Sequence, residues 1–437
     1  MHRLFYSSLL AGACCIAAPA AAQQSPNPFE SVGSPPAEHP QGRDADPGSG
    51  PLTAPPAVND ARGETGGVTI GSVNIDTVEG ISAAALAASY ESFIGQEASE
   101  ATLQALAGAV SKAVRGEGYV FASARIPPQS IRMGMIAVTV DPGPIDEIRI
   151  KGSDNTRLRK ILGLLQGRPA RSEMLERQLL LASDLPGVTI ASTNYERENG
   201  RGVLVVTVTE ETLSGYAAID NYGPQSLGPV RARVEYDLTG ILSDDDVLTT
   251  GIISTVLQPG ELVYFNSRYA RTLGDGGTVI GLSAAGGRTR WNSFPGGEDF
   301  RGRTAYASLF ASHALKRSRA SSLWINTEVA YLEFRQSEDD LLFQKDRIVT
   351  AAVNFTGNYD LGIGRIYGGI GVTQGLGIFG ASRTGDPLNS RANGSGQFTK
   401  ASFWLDTVLD AGSGFGVRMA ANGQIASDPL LSPNEIA

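Results

Sequence analysis

Cysteine is almost absent from this sequence: its 437 residues contain two, Cys14 and Cys15, both in an N-terminal apolar run. Arg3 precedes this run, and three alanines at 20–22 end it. A positive start, an apolar core and a small-residue site are typical of a secretory signal peptide, which we assign to residues 1–22. Cleavage there would leave a chain without cysteine, held together by packing and hydrogen bonds alone.

Long apolar runs, histidine and positive charge are also scarce. No run of about 18 apolar residues follows the signal, which argues against a membrane helix. The three histidines, His2, His39 and His313, show no metal-ligand spacing, and no Ser/His/Asp set suggests itself. A net charge of -9 argues against a nucleic-acid partner. The sequence therefore predicts no enzyme, no catalytic residue, no metal site and no cofactor.

Alternating segments fill the chain from residue 216 onward. Those at 216–223, 231–238 and 264–271 alternate apolar with polar side chains, and a strand places such neighbours on opposite faces. We count about eleven such segments of roughly 8–14 residues, the length that a tilted strand needs to cross a bilayer. The pattern predicts an antiparallel transmembrane β-barrel over residues 214–437.

The connections between these segments fall into two alternating classes. Short ones lie at 239–245, 273–277, 316–319, 360–363 and 410–412. They alternate with a class that lengthens along the chain, at 223–228, 258–261, 288–301, 336–345 and 379–396. In outer-membrane barrels short turns face the periplasm and long loops face outside, so the alternation predicts that arrangement here.

Two copies of a β-α-α-β-β pattern precede the barrel, at 68–143 and 144–213. The first has strands at 68–75, 121–126 and 136–140 and helices at 82–93 and 99–115, with Ser82 and Ser99 as N-caps. The second has strands at 145–152, 189–195 and 203–208 and helices at 156–165 and 172–183. Each copy is long enough for a small two-layer domain. The sequence therefore predicts a mostly β protein with an α+β N-terminal part.

The segments that join these units differ in stiffness. Residues 23–67 are rich in proline, glycine and serine, so we expect a semi-extended periplasmic linker there. The joins at 140–145 and 210–214 are short, and the first contains two prolines. We therefore expect both domains to be held at a defined angle to the barrel.

Two motifs have a plain interpretation. Gly375–Gly380 matches G-x-G-x-x-G, but no helix opens after it, so we interpret it as a strand running into a loop rather than a dinucleotide site. Asp244, Asp245 and Asp246 lack the spaced acids of a calcium loop, and we interpret them as a solvated turn.

Three arginines fall on the inward face of the barrel by alternation: Arg231, Arg233 and Arg268. They could line a conducting or guiding lumen. They could equally do no more than solvate the polar interior that every such barrel needs. The sequence leaves both interpretations open.

Scattered motifs together resemble one family, the outer-membrane transporters of two-partner secretion of the hemolysin secretion/activation type. They lie at 118–119, 124–129, Gly134 and Gly143 in the first copy, at 148–152, 175–177 and 184–188 in the second, and at 220–223, Gly228 and Arg231 in the barrel. The resemblance covers about residues 68–425. It implies two polypeptide-transport-associated (POTRA) domains in the periplasm, followed by one outer-membrane barrel.

What the resemblance implies is transport. Members bind an unfolded exoprotein in the periplasm, receive it as an added strand on a POTRA sheet edge, and pass it through the barrel to the cell surface. The implied partners are a large secreted β-helical exoprotein, outer-membrane lipid around the barrel and the barrel-assembly machinery for insertion.

A client site is expected in the second POTRA domain, where an apolar helix face lies beside a short sheet with a free edge. The candidate residues are Leu175 and Leu179 on the second helix, and Val203, Val205 and Val206 on the strand expected at the edge.

The sequence departs from the family pattern in two places. Residues 23–67 hold too many prolines for the N-terminal helix that plugs the pore in many members. The chain also stops in what resembles the sixth external loop, before a Val-Arg-Gly-Tyr/Phe element. We therefore expect an incomplete barrel that lacks roughly five of about sixteen strands.

Other functions remain to be weighed against this transporter. A barrel-assembly insertase would place its clients in the membrane instead of exporting them. A general porin needs no periplasmic receptor, so the repeated domains argue against it. An outer-membrane hydrolase would need a catalytic constellation, and the sequence offers none.

Overall fold

The computed structural model describes residues 57–434, except 61–66, 77–79, 130, 132, 222, 224–226, 293–296, 298 and 413. The predicted signal peptide at 1–22 and most of the predicted linker at 23–67 lie outside the described residues. The structure therefore bears on the two domains and the barrel.

The first domain follows the predicted β-α-α-β-β order. Its elements are β1 (Val58–Asn59), β2 (Ser72–Ile75), α1 (Ala83–Tyr90), a 3₁₀ turn (Glu91–Phe93), α2 (Glu100–Gly116), β3 (Ser123–Ile126) and β4 (Met135–Asp141). The predicted N-caps are confirmed, since the Ser82 hydroxyl accepts a bond from the Ala85 amide and the Ser99 hydroxyl one from the Thr102 amide.

The core of the first domain lies between its helices and a four-stranded sheet. The strand order is β1-β3-β4-β2, and the α2 face that repeats at helical spacing is fully buried at Leu103, Leu106, Val110 and Val114. The strand β1 was not expected, because its residues belong to the proline-rich segment predicted as a linker. Around Val58 and Asn59 that segment is part of the sheet.

The second domain repeats the same architecture. Its elements are β5 (Glu147–Lys151), α3 (Thr156–Gly163), α4 (Ser172–Ser183), β6 (Val188–Glu198) and β7 (Arg201–Glu210). The sheet order is β5-β7-β6, with β5 parallel and β6 antiparallel to β7. The first domain has the same arrangement in β2-β4-β3, so β6 and β3 are topologically equivalent edge strands.

One element of the predicted client site is wrong. Val203, Val205 and Val206 lie on β7, which is the central strand of the sheet and is paired on both sides. The parallel β5–β7 pairing, made across both helices, puts β7 in the middle. These valines are at most 4% exposed, and Leu175 and Leu179 are also buried in the domain core. Among the described residues, the edges of this sheet that have no strand partner belong to β5 and β6.

Residues 213–426 form one antiparallel sheet of eleven strands in sequence order. The strands are β8 (Leu213–Asp220), β9 (Arg231–Thr239), β10 (Asp246–Thr255), β11 (Leu262–Leu273), β12 (Thr278–Asn292), β13 (Asp299–Arg317), β14 (Ser321–Glu338), β15 (Leu341–Asp360), β16 (Gly364–Gly375), β17 (Thr399–Asp410) and β18 (Gly416–Ala426). This confirms the predicted antiparallel barrel sheet and its strand number. No helix in the described part of the chain is both long and apolar enough to span a membrane.

The predicted connections need correction at two of the long loops. The strands β12, β13, β14 and β15 run for 15, 19, 18 and 20 residues, so they take up most of the sequence assigned to loops 288–301 and 336–345. The second of these loops is a two-residue hairpin turn, with positive φ at Asp339 and Asp340. The loop at 379–396 is long as predicted, and Gly375–Gly380 runs from the end of β16 into it.

Candidate functional site

The curved barrel sheet borders a cavity of about 1030 Å³ that reaches the second domain. Its wall consists of inward side chains of β8 to β17 together with residues 183–187, from the end of α4 to the start of β6. At another part of the wall, Ser432, Pro433 and Asn434 lie after β18, and the Lys400 ammonium donates to the Asn434 carbonyl at 3.0 Å. The second domain is thus part of the wall of the lumen.

The three predicted lumen arginines have different surroundings. Arg268 lines the cavity, with its guanidinium 4.1 Å from the centre of the Phe310 ring. Arg231 forms an ion pair with Asp220 at 3.0 Å where β8 and β9 meet. Arg233 is exposed and shares by alternation the β9 face of the cavity residue Glu235. Their role in conduction stays a prediction.

The second domain contacts the short turn between β9 and β10 through several hydrogen bonds. Helix α3 begins beside this turn: the Asn155 side-chain amide donates to the Asp244 carbonyl at 2.6 Å, and the Thr156 amide to the Asp244 carboxylate at 3.2 Å. In the first turn of α3, Arg157 forms ion pairs with Asp245 at 2.8 Å and with Asp275 of the next short turn at 3.2 Å. A single arginine thus ties two barrel turns to α3.

Helix α4 holds the next two barrel turns. The Arg177 guanidinium donates to the carbonyls of Gly276 at 3.3 Å and Ala314 at 3.0 Å. The Glu176 carboxylate accepts a bond from the Arg319 amide at 2.7 Å. Together α3 and α4 contact all three of the first short turns, which explains how a short join can keep the domain at a defined angle.

A buried ion pair lies at the centre of this contact. The Arg317 guanidinium, at the end of β13, donates to both Asp184 carboxylate oxygens at 2.8 Å, a bidentate geometry. Its side chain is 7% exposed, against 27% for that of Asp184. Arg317 also donates to the Ser322 hydroxyl at 3.1 Å and lies 5.6 Å from the Trp324 ring centre.

Apolar packing continues from the second domain into the barrel around this pair. Ala314 and Trp324 of the barrel belong to the same buried cluster as Leu181 of α4. Gly277 leaves room for that helix, because a Cβ there would lie 2.5 Å from the Leu181 side chain. Domain and barrel therefore share one buried apolar cluster.

The predicted solvated turn at Asp244–Asp246 is correct for Asp244, which is exposed, and wrong for the two aspartates that follow it. Asp245 and Asp246 are 3% and 0% exposed. The Asp246 carboxylate accepts bonds from three amides of its own turn and from the Tyr269 hydroxyl, while Asp245 pairs with Arg157 and Arg271. These carboxylates organise the turn and its docking. Among the described residues no His, Cys, Asp or Glu cluster could hold a metal ion.

The two domains are joined by an equally specific contact. Phe121, which precedes β3, is fully buried in the core of the second domain and stacks on Tyr195 with ring centres 4.1 Å apart. Burial raises the pKa of Tyr195 to about 12, so its hydroxyl stays protonated and donates to the Pro144 carbonyl at 3.0 Å. Gly143, with φ of +71°, is needed here because a Cβ would lie 2.6 Å from the Phe121 carbonyl.

Acid is expected to loosen the docking of the second domain. Burial alone would raise the pKa of Asp245, but the bond from Ser243 and the charges of Arg157 and Arg271 outweigh it and lower that pKa. A depressed pKa gives stability that is present above the unfolded value near 4 and is lost as the pH falls through the folded value. Protease cleavage at the 211–214 join should therefore rise below pH of about 4, and Asp245→Asn should remove this charge-dependent part at all pH values.

Sequence reasoning missed the residues that make these contacts. Asp184, Glu176 and Arg177 lie inside motifs that carry the family resemblance, so the signal was present without a role attached. Arg317 and Phe121 gave no signal, because their partners lie 133 and 74 positions away in the chain.

The fold and this contact define a class: paired POTRA-type domains docked on the turns of an antiparallel membrane barrel. The description "POTRA domain, ShlB-type" matches residues 68–143, and "Haemolysin secretion/activation protein ShlB/FhaC/HecB" matches residues 200–437. The second match covers more than half of the chain, so the chain belongs to the ShlB/FhaC/HecB family of haemolysin secretion/activation proteins. The resemblance seen in the sequence is confirmed.

Individual relatives are more distant. Heme/hemopexin transporter protein HuxB of Haemophilus influenzae strain 86-028NP is 25% identical over 177 residues, which are 39% of this chain and 31% of that protein. The match thus spans about a third of the curated relative. CdiB from Escherichia coli superposes with a TM-score of 0.62 at 18% identity, over 85% of this chain and 71% of that one. CdiB from Acinetobacter baumannii gives 0.52 at 13% identity, over 87% and 74%. The two CdiB structures therefore show a shared fold.

Proposed function

We propose that this protein is an outer-membrane transporter of two-partner secretion, which takes an unfolded exoprotein from the periplasm and passes it through its barrel. The proposal makes it a carrier and not an enzyme. The observation that carries it is where β6 begins: Val188 follows Pro186 and Gly187, which line the barrel cavity. A client strand added along β6 would end at the lumen.

The edge of β6 is suited to receive such a strand. It spans 11 residues, and within the described part of the chain its only strand partner is β7. An extended client would gain main-chain hydrogen bonds there, with little demand on its sequence. This places the proposed client edge on β6 and leaves Leu175, Leu179 and the β7 valines the task of holding that edge in position.

The outer surface of the barrel supports a membrane location. Large apolar side chains such as Val329, Val372 and Phe403 are 52%, 52% and 51% exposed, and each lies between two residues that line the cavity. An outward apolar band with a polar interior is the pattern of a barrel in lipid. We propose that the barrel lies in the outer membrane and both domains lie in the periplasm.

Proline on β6 should separate client binding from folding. Successive residues of an antiparallel edge strand point their amides alternately to the neighbour and away from it. Of Thr193→Pro and Asn194→Pro, one therefore removes an amide from the β6–β7 ladder and the other an amide from the free edge. The variant that keeps a native, protease-resistant second domain should lose at least ten-fold in secretion of a cognate exoprotein.

Val205→Pro is the matched control on the central strand. It removes a ladder hydrogen bond where both edges are paired, which should unfold the second domain. Native circular dichroism and normal secretion in both β6 variants would contradict the proposed edge. Insertion of the partner into the membrane, in place of its release, would favour an assembly function.

A further inference from the structure

The first domain carries an extra strand at the edge that is equivalent to β6. Residues 57–60 lie parallel to β3, with Val58 opposite Arg125 and Asn59 opposite Ile126. The Asp60 amide donates to the Ile126 carbonyl at 3.0 Å. The same edge is open on β6, within the described residues, and covered on β3.

The added strand lies in a groove with two walls. On the β3 side, the Arg125 guanidinium pairs with the Asp60 carboxylate at 2.8 Å. On the helix side, the Gln104 side-chain amide of α2 donates to the Ala57 carbonyl at 2.8 Å. The groove therefore holds an extended backbone from both sides and adds one cation that selects an acidic side chain.

Residues 57–60, which occupy this groove, are held weakly. Their strand is two residues long, and their ion pair is exposed, at 58% for Arg125 and 41% for Asp60. Exposed ion pairs contribute little to stability. The advantage of the occupant is covalent attachment, which gives it a high effective concentration at the groove. A competing strand of modest affinity can displace such a segment once it is itself held nearby.

We propose that the groove between β3 and α2 is a second strand-acceptor site, which residues 57–60 close in cis until an extended client segment with an acidic side chain replaces them. The proposal rests on the proposed function for the identity of the client, but not for the existence of the groove. In this arrangement the edges of β3 and β6 offer two equivalent acceptors, and within the described residues only the first is covered by a strand of the same chain.

A peptide can test the groove without any client. The probe is a fluorescein-labelled peptide with the sequence of residues 55–62, and fluorescence anisotropy measures its binding to the full chain in detergent micelles. Asp60→Pro in the chain removes both the amide and the carboxylate of the cis strand, so it should tighten peptide binding at least ten-fold. Arg125→Glu should abolish binding, and a peptide with lysine in place of its aspartate should restore it.

A reducible disulfide across the groove tests whether the client uses it. Cysteines at Asn59 and Ile126, which are register partners and leave Arg125 in place, should form a disulfide that keeps the cis strand in place. The oxidised chain should bind no peptide and should secrete at least ten-fold less than the same chain after reduction, with the single-cysteine variants as controls. Chains with a native first domain but equal peptide binding in all variants would overturn the groove. If the peptide binds as expected but the oxidised chain secretes fully, the client does not use the groove. If every chain fails to secrete, the wild type included, that result would contradict the proposed function alone.

Discussion

Replacing Asp184 with alanine is expected to release the second domain from the barrel. The change leaves the Arg317 guanidinium, whose side chain is 7% exposed, without its bidentate partner. Removing one partner of a buried ion pair costs about 3–5 kcal/mol, because the remaining charge has lost its compensation. The retained bond to Ser322 places the expected cost near the lower end of that range.

Pulsed electron paramagnetic resonance can measure this release, with one spin label on the second domain and one on a barrel turn. The wild type should give a narrow distance distribution and Asp184→Ala a broad one. Arg317→Ala should add little on top of Asp184→Ala, since both remove the same interaction. Glu198→Ala is the matched control: it breaks the exposed pair with Arg149 inside the second domain and should leave the distribution unchanged. A narrow distribution in Asp184→Ala would show that the other turn contacts suffice.

Local patterns in the sequence were enough to predict the elements. The helix α4 has the predicted bounds, and α2 begins after its predicted N-cap, because helical spacing and capping are local properties. The barrel strands were recognisable for the same reason, since alternation is also local. Their lengths were not, because β13 to β15 continue as a paired ladder where the composition resembles a loop.

The site depended on contacts that no local pattern contains. The place of β7 at the centre of its sheet follows from its parallel pairing with β5, on the far side of two helices. The burial of Asp245 follows from Arg157, 88 positions earlier in the chain. A run of three aspartates has the composition of an exposed turn whether or not a helix docks on it. The family motifs around 175–177 and 184–188 indicated that these positions matter, but the roles required the structure.

Phe121→Ala is expected to uncouple the two domains and to destabilise the second. The ring is fully buried, yet it belongs to the chain segment of the first domain and fills the core of the second. A change from a buried phenylalanine to alanine costs about 3–5 kcal/mol, and here it also removes the stacking on Tyr195. Because Gly143 packs against the Phe121 backbone, the short join between the domains should lose its fixed geometry as well.

Hydrogen exchange of the full chain can distinguish destabilisation of the second domain from a local effect of Phe121→Ala. Amides of β7, in the second domain, should exchange at least 100-fold faster in Phe121→Ala, since about 2.7 kcal/mol corresponds to that factor. Amides of β4, in the first domain, should change far less. Phe93→Ala is the control, because Phe93 is half-buried against the first core and should affect β4 instead of β7. Faster exchange in β4 alone would place Phe121 in the wrong core. Retained protection of β7 would mean that its cluster holds without the ring.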